Sequence, residues 1–373
     1  MPRIHLVSFN IPFPPDQGGL VDVYAKIKAL HGAGVKVVLH CFEYNRAHAP
    51  ELDKYCAEVH YYPRHRNVLS LFSLQPFIVF SRRSQKLEKA LENADGPVLL
   101  EGLHTAWYLK RRRLAAKDMW LRTHNVEHVY YQGLAAAEPN LFKRLFFGLE
   151  AFKLKRFEPV LSGAKGLFCI SAADTEHFRK LNAHTELVSA FHLEDEVQSA
   201  TGQGRFAMYH GSLDVPENHK AALWLVKEVF AGTDIPLQIV GNRAAPELRA
   251  AIQGQPHITL VENAGPEQIR ERMREAHIHV LPTFQATGIK LKLLHALFAG
   301  RFCVVNGPMV DGTGLEPYCI RCSDAAAMRQ QVQLFMQQPF GEEELERRKT
   351  LNNSIFSNRV NVQTLLAGMG LAQ

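Results

Sequence analysis

The chain has 373 residues, 46% hydrophobic and 21% charged, a packed globular composition long enough for about two cores. No run approaches the roughly 20 apolar residues that cross a bilayer, and MPRIHLVSFN enters a strand pattern without a leader's apolar stretch, so a cytoplasmic protein is expected. A net charge of +6 favours anionic partners, but no nucleic-acid module is present, neither paired zinc-finger ligands nor interleaved basic and aromatic motifs.

Taken in chain order, short apolar runs alternate with helical patterns. The first half predicts strands over 4–9, 36–41, 58–62, 97–100, 119–122 and 166–170, and helices over 20–33, 85–93, 105–114 and 141–161. The alternation restarts after Phe206, with strands over 206–209, 237–240, 258–261, 278–281 and 302–305. A last helical stretch, 341–366, can pack on either half. Nearly continuous apolar strands separated by helices imply parallel sheets covered on both faces. Two such series predict an α/β protein of two doubly wound, Rossmann-like domains, 1–195 and 196–373. The break falls in the polar, glycine-containing stretch near 188–204, where Glu194, Asp195 and Glu196 read as a solvated surface. Ligands bind beyond the carboxyl ends of parallel strands, so the chemistry is sought in the strand-to-helix loops, in a cleft that two facing domains would form.

The six cysteines, at 41, 56, 169, 303, 319 and 322, sit mostly in apolar strand-like runs and read as buried thiols. Cys319 and Cys322 have C-x-x-C spacing but no second pair follows, and no D-x-D motif is present, so no metal is expected.

Four loops carry polar or glycine-rich signals. In NIPFPPDQGGLVDVYAKI, Gly18 and Gly19 open a helix, where unpaired N–H groups can face an anion. In MWLRTHNVEHVYY, His124, Asn125 and Glu127 follow a strand directly. In YHGSLDVPENHKAALWLV, Gly211 follows a strand, and Asn218 suits a helix cap. In VLPTFQATGIKLKLLHALFAGRFCVVN, Thr287 and Gly288 begin a predicted helix that ends at Gly300. Two lysines, Lys290 and Lys292, near a helix N-terminus oppose its dipole unless an anion joins them or they reach out to solvent.

The ordered set of the paired glycines, RTHNVE, GSLDVPEN and ATGIKLKLLHALFAG resembles the retaining GT-B glycosyltransferases of family 4, in the branch that builds bacterial cell-surface polysaccharides. The resemblance spans nearly the whole chain. It implies a nucleotide-diphosphate sugar donor and a glycan or lipid-linked acceptor, without a cofactor. Gly18, Gly19 and Gly211 would approach the donor. His124 would contact the donor sugar, with Asn125 and Glu127 beside it. Thr287, Gly288 and Ile289 would meet the diphosphate, and Lys292 with Lys290 would neutralise it. The nucleobase would lie near Val261, Glu262 and Asn263. Two departures stand out: His295 replaces a glutamate that relatives place on the ribose, and Ser212 stands where many have an arginine. A degenerate nucleotide-sugar-binding scaffold and a nucleotide-sugar 2-epimerase are the competing readings.

The segment 141–160, LFKRLFFGLEAFKLKRFEPV, carries five basic and two acidic residues among bulky hydrophobes. It suits an anionic membrane surface or, alternatively, an amphipathic helix packed on its own sheet. Arg111, Arg112 and Arg113 read as a solvated helix end.

Overall fold

The computed structural model describes residues 2–65, 73–138, 140–285 and 289–372. The chain divides into two compact units, Met1–Phe191 with Asn358–Gln373, and His192–Ser357.

The first unit is built on a sheet of β1 (Arg3–Ser8), β2 (Lys36–Glu43), β3 (Glu58–Pro63), β4 (Val98–Glu101), β5 (Met119–Thr123), β6 (Gly166–Cys169) and β7 (Thr185–Leu187). The strands lie in the order β3-β2-β1-β4-β5-β6-β7, and every pair is parallel, with Leu6 opposite Leu39 on one side and Leu99 on the other. Alternate residues of each strand feed different cores because side chains alternate across a sheet. Leu99, Trp120 and Phe168 join one cluster, while their neighbours Leu100, Leu121 and Leu167 join the other. With both faces covered by apolar residues, each strand reads as a continuous hydrophobic run. The helix Asn358–Gly368 belongs to the first of these clusters through Val362, Leu365 and Leu366, with Met369 just beyond it. It packs beside the helix Gly18–Gly32, whose Val23, Ile27 and Leu30 share that core. Burying one such side chain stabilises the fold by about 1.5–3 kcal/mol.

The second unit repeats the plan with β8 (Ala207–His210), β9 (Leu237–Val240), β10 (Ile258–Val261), β11 (Ile278–Leu281), β12 (Phe302–Asn306) and β13 (Ile320–Cys322), in the order β10-β9-β8-β11-β12-β13. All its pairs are parallel.

Several local expectations change. The strands β7 and β13, three residues each and at sheet edges, are too short to show a pattern in sequence. The stretch predicted as a helix over 105–114 is a pair of 3-10 turns, Leu103–Lys110 and Arg112–Leu114. The helix predicted over 141–161 stops at Phe157, because Pro159 has no N–H to continue the ladder, and a 3-10 turn Glu158–Gly163 follows. The final stretch is two helices, Glu342–Lys349 and Asn358–Gly368, rather than one. Between them, polar side chains take over backbone bonding: Ser354 Oγ accepts from Phe356 N at 3.1 Å, and Asn352 Oδ1 accepts from Val197 N at 2.8 Å. Glu194, read as solvated, is buried, whereas Asp195 and Glu196 are exposed. No disulfide joins the six cysteines. Among the described residues, no helix is long and apolar enough to cross a membrane.

Candidate functional site

In each sheet the order of strands reverses once, between β1 and β4 in the first unit and between β8 and β11 in the second. Loops leaving such a pair diverge to opposite faces and leave a crevice at the carboxyl edge, where ligands of open α/β sheets bind. The sequence-predicted residues can be placed against these two edges, one unit at a time.

In the first unit, Gly18 and Gly19 are the first two residues of the helix Gly18–Gly32, which follows β1. A Cβ on Gly19 would stand 3.0 Å from the Phe9 ring and 3.8 Å from His124 Nδ1, so only glycine lets these groups approach. His124 leaves the end of β5, and its ring meets the edge of Phe9 at 5.6 Å. Its Nε2 lies 3.0 Å from Glu101 Oε2, at the end of β4. A carboxylate only accepts, so Nε2 carries the proton and Nδ1 is left as the acceptor nitrogen. Asn125 sits in the bend after His124, half-buried.

Glu127 opens the helix Glu127–Ala137 and is buried. A helix N-terminus favours a negative charge, but burial outweighs this, with a smaller opposing pull from Arg82, and raises the carboxyl to about 7. Its Oε1 lies 4.0 Å from Nδ1 of His104, a residue the sequence reading did not single out. His104 follows Gly102, whose φ of +70° is the left-handed conformation that suits glycine. The His104 ring stacks on Phe9 at 5.0 Å, and burial pushes its pKa well below the ordinary imidazole value. Arg82, also unforeseen, donates to the carbonyls of Phe9 and Ile78 at 2.7 Å, with burial drawing it down to about 9.

Beneath His124 lies a buried charge network. Arg122 donates to both oxygens of Asp22, at 2.9 and 2.8 Å, and to the carbonyls of Val188 and Ser189. Lys26 bridges Asp22 Oδ2 at 3.0 Å and Glu101 Oε1 at 2.6 Å. Burial works to raise the Asp22 pKa, but Arg122 and Lys26 outweigh it and hold the carboxyl well below its usual range. Burial acts the same way on Glu101, and Lys26 with the His124 hydrogen bond reverses it. Ligand atoms of Asp22, Glu101 and His124 lie within 4.8 Å of one another, a spacing a cation can bridge. The same two carboxylates are also paired with the two buried cations Lys26 and Arg122.

In the second unit, Gly211 follows β8, and a Cβ there would lie 3.2 Å from the Asn218 carboxamide. Asn218 does not cap a helix as expected. The helix Pro216–Trp224 begins before it, leaving the Asn218 carboxamide to donate to Ser212 O at 3.0 Å and accept from Lys292 Nζ at 2.8 Å. Lys292 Nζ also lies 3.3 Å from the Tyr209 hydroxyl and 5.0 Å from that ring's centre. Both hydrogen-bond partners are neutral. Burial pulls the ammonium down to about 8, with Glu217 opposing and Lys290 adding to the shift.

Lys290 stands at the cap of the helix Leu291–Ala299, with Nζ 3.9 Å from Glu217 Oε1, and burial lowers its pKa. Thr283, in the loop leaving β11, donates its hydroxyl to Glu217 and is held by Asn306, whose Nδ2 donates to Thr283 O at 2.7 Å. Ile289 precedes Lys290 and is half-buried. Thr287 and Gly288 lie outside the described residues, and the regular helix begins at Leu291 rather than there. His295 turns toward His192, ring centres 6.4 Å apart, and burial holds its pKa near 3 with His192 adding to the effect. His210, the last residue of β8, is buried, with neither ring nitrogen hydrogen-bonded.

Val261 ends β10, and its carbonyl accepts from Gly241 N at 3.1 Å. Glu262 accepts from Ala244 N at 3.1 Å and pairs with Arg249 at 2.5 Å, so its carboxylate shapes the loop after β9. Asn263 adopts φ +58°, with its N–H donating to Asn242 at 2.7 Å. A hollow of about 390 Å³ lined by Arg205, Glu271, Glu275 and Arg301 lies at the opposite, amino edge of this sheet, away from these loops.

A family segment lies within the second unit: residues 204–338 match the model for glycosyl transferases group 1. An uncharacterized 44.6 kDa protein in the cps region of Klebsiella pneumoniae is 28% identical over 337 residues, covering 84% of this chain and 85% of its own length. Among solved structures, the chain is similar to a glycosyltransferase from Rickettsia africae, with a TM-score of 0.66 and 12% identity over 99% of this chain and 97% of that one. It is also similar to sucrose-phosphate synthase from Thermosynechococcus elongatus, with a TM-score of 0.62 and 16% identity over 100% and 97%. The chain therefore has the GT-B fold, and the matches support a glycosyltransferase.

Proposed function

We propose that this GT-B chain transfers a sugar from a nucleotide-diphosphate donor to a glycan or lipid-linked acceptor, with retention and without a metal, in the synthesis of a cell-surface polysaccharide. The observation that carries the reading is Lys292. A half-buried ammonium beside the β8–β11 reversal, held by the neutral partners Asn218 and Tyr209, is a positive charge that an anion would complete. As the bond from the anomeric carbon to the diphosphate oxygen breaks, positive charge builds on the sugar and negative charge on the leaving group. Lys292, assisted by Lys290, neutralises the latter, a role that a metal plays elsewhere. Thr287, Gly288, Ile289 and Gly211 line the diphosphate, and Val261 and Glu262 lie beside the base.

In the first unit, Gly18 and Gly19 leave room for a sugar at the His124 edge. Glu101 fixes that imidazole so that Nδ1 can accept from a sugar hydroxyl. Glu127, with a pKa near 7, is suited to proton transfer, and Asn125 adds a polar contact. His295, neutral in this environment, can still hydrogen-bond a ribose hydroxyl.

The test is calorimetric titration with uridine, guanosine, adenosine and thymidine diphosphates. One of them should bind, and Lys292→Ala should weaken it about 10- to 100-fold, the worth of one hydrogen bond to a charged group. Unchanged affinity removes Lys292 from the donor site. Anomeric NMR of the transfer product should show the donor's configuration kept, and an inverted product refutes the retaining mechanism.

A further inference from the structure

The helix Leu141–Phe157 buries Ala151, Leu154 and Phe157 against the first unit but is apolar on its outer face as well. Leu141, Phe142, Leu145, Leu149 and Phe152 are 54, 83, 62, 50 and 57% exposed. At 3.6 residues per turn, these positions fall within about 100° of one another and form one continuous stripe. The opposite face also holds a polar pair: Glu150 and Lys153 are buried and joined at 3.0 Å, and Glu150 also accepts from Phe77 N at 2.6 Å. The inward face thus holds Ala151, Leu154 and Phe157 with the charged pair, while a second apolar stripe of five leucines and phenylalanines faces outward, where a solvated helix carries polar residues.

The exposed charges of this helix are all of one sign. Lys143, Arg144, Lys155 and Arg156 are exposed, while Glu150, the helix's one acidic residue, is buried. Arg144 and Lys155 fall along one margin by helical spacing, and the Arg156 guanidinium lies 5.6 Å from the Phe152 ring at the stripe's end. Gly148, on the same face, has open space around the position of a Cβ, so no described residue covers the stripe there. Val129, on the neighbouring helix Glu127–Ala137, adds a further exposed apolar side chain.

We propose that this helix docks on an anionic lipid surface, lying parallel to it. Phenylalanine and leucine side chains enter the acyl boundary while the four basic residues meet the headgroups. Charge complementarity selects this occupant: a protein partner or a second copy would bring this stripe's four cations against each other or against an unspecified face, whereas an anionic bilayer offers apolar depth and negative charge together. The proposal does not rest on glycosyl transfer, because lipid binding is measured without turnover.

The test is co-sedimentation of the full chain with sucrose-loaded vesicles of phosphatidylcholine alone or with 40% phosphatidylglycerol, at about 50 and 500 mM salt. Binding is expected to the anionic vesicles at low salt, and to fall at high salt. Phe142→Ser with Phe152→Ser should lower the partition coefficient about 100-fold, roughly tenfold for each aromatic ring withdrawn from the interface. Arg144→Gln with Lys155→Gln should lower it about fivefold per charge on anionic vesicles only. Both double variants replace exposed side chains, and an unchanged melting temperature shows that they fold. No sedimentation with anionic vesicles at low salt overturns the proposal. So does equal binding by the phenylalanine variant, or a dimer in analytical ultracentrifugation that the same substitutions abolish.

Discussion

Arg122→Met removes one of four charges from the network under His124 while nearly preserving side-chain length. In the native protein Asp22, Glu101, Lys26 and Arg122 are almost wholly buried and sum to zero. The variant leaves Lys26 alone between two carboxylates, and the carbonyls of Val188 and Ser189 lose their guanidinium donor. Breaking one partner from a buried ion pair costs about 3–5 kcal/mol, a large part of a typical domain's stability of about 5–15 kcal/mol. The sign of the pH dependence follows from Asp22. Its folded pKa is depressed, so its contribution is complete above the ordinary carboxylate range and is lost as pH falls toward the folded value. Without Arg122 the surplus carboxylate takes up a proton more readily, and the variant's deficit should narrow as pH falls toward the ordinary carboxylate value. Hydrogen-exchange mass spectrometry in a urea series resolves the two units. Amides of β1, β4 and β5 should lose protection in proportion to the destabilisation, with β8 to β12 unchanged. A loss below about 1 kcal/mol, or loss shared equally by both units, refutes the account of a buried network private to the first unit.

Glu127→Gln should stabilise the protein at pH 8 by roughly 2–3 kcal/mol, since ionising the native carboxyl at about 7 rather than 4.5 carries a cost that accrues between those values and is complete above 7. Thermal melts from pH 4 to pH 8 check this, and a pH-independent difference contradicts it. Gly102→Ala should cost about 1–2 kcal/mol, because the residue holds φ +70° and the new Cβ would stand 2.9 Å from His104 Nδ1. Gly148→Ala, in an exposed helix with open space around it, should instead add about 0.5–1 kcal/mol. Urea denaturation of the pair gives opposite signs if backbone conformation and local space decide the outcome.

The central strands were legible because they are runs of consecutive buried residues, such as VLLE in β4 and GLFC in β6, with no solvent face to interrupt the pattern. Lys292 was legible for a different reason: a lysine in the first turn of a helix runs against the dipole and calls for an explanation. Its partners were not. Tyr209 and Asn218 are more than seventy residues away in sequence, and only the β8–β11 pairing brings them close. The network under His124 was hidden by resemblance to something ordinary. Asp22 and Lys26, four apart on a helix, look like a solvated pair, and their burial depends on the strand residues Glu101 and Arg122. The signal lay in those two charges, which end or interrupt the apolar runs VLLE and MWLRT. The outward-facing stripe of Leu141–Phe157 was beyond periodicity alone, since one face looks apolar whichever way the helix turns.

The return of residues 358–369 to the first unit has a consequence for synthesis. A ribosome delivers the first 191 residues early, but Val362, Leu365, Leu366 and Met369, which close over Ile4, Leu99 and Trp120, arrive only after the second unit has been made. Until then, the part of that face not covered by the helix Gly18–Gly32 stays open to water and to any chaperone that recognises exposed aliphatic side chains. The unit made first is therefore the one finished last.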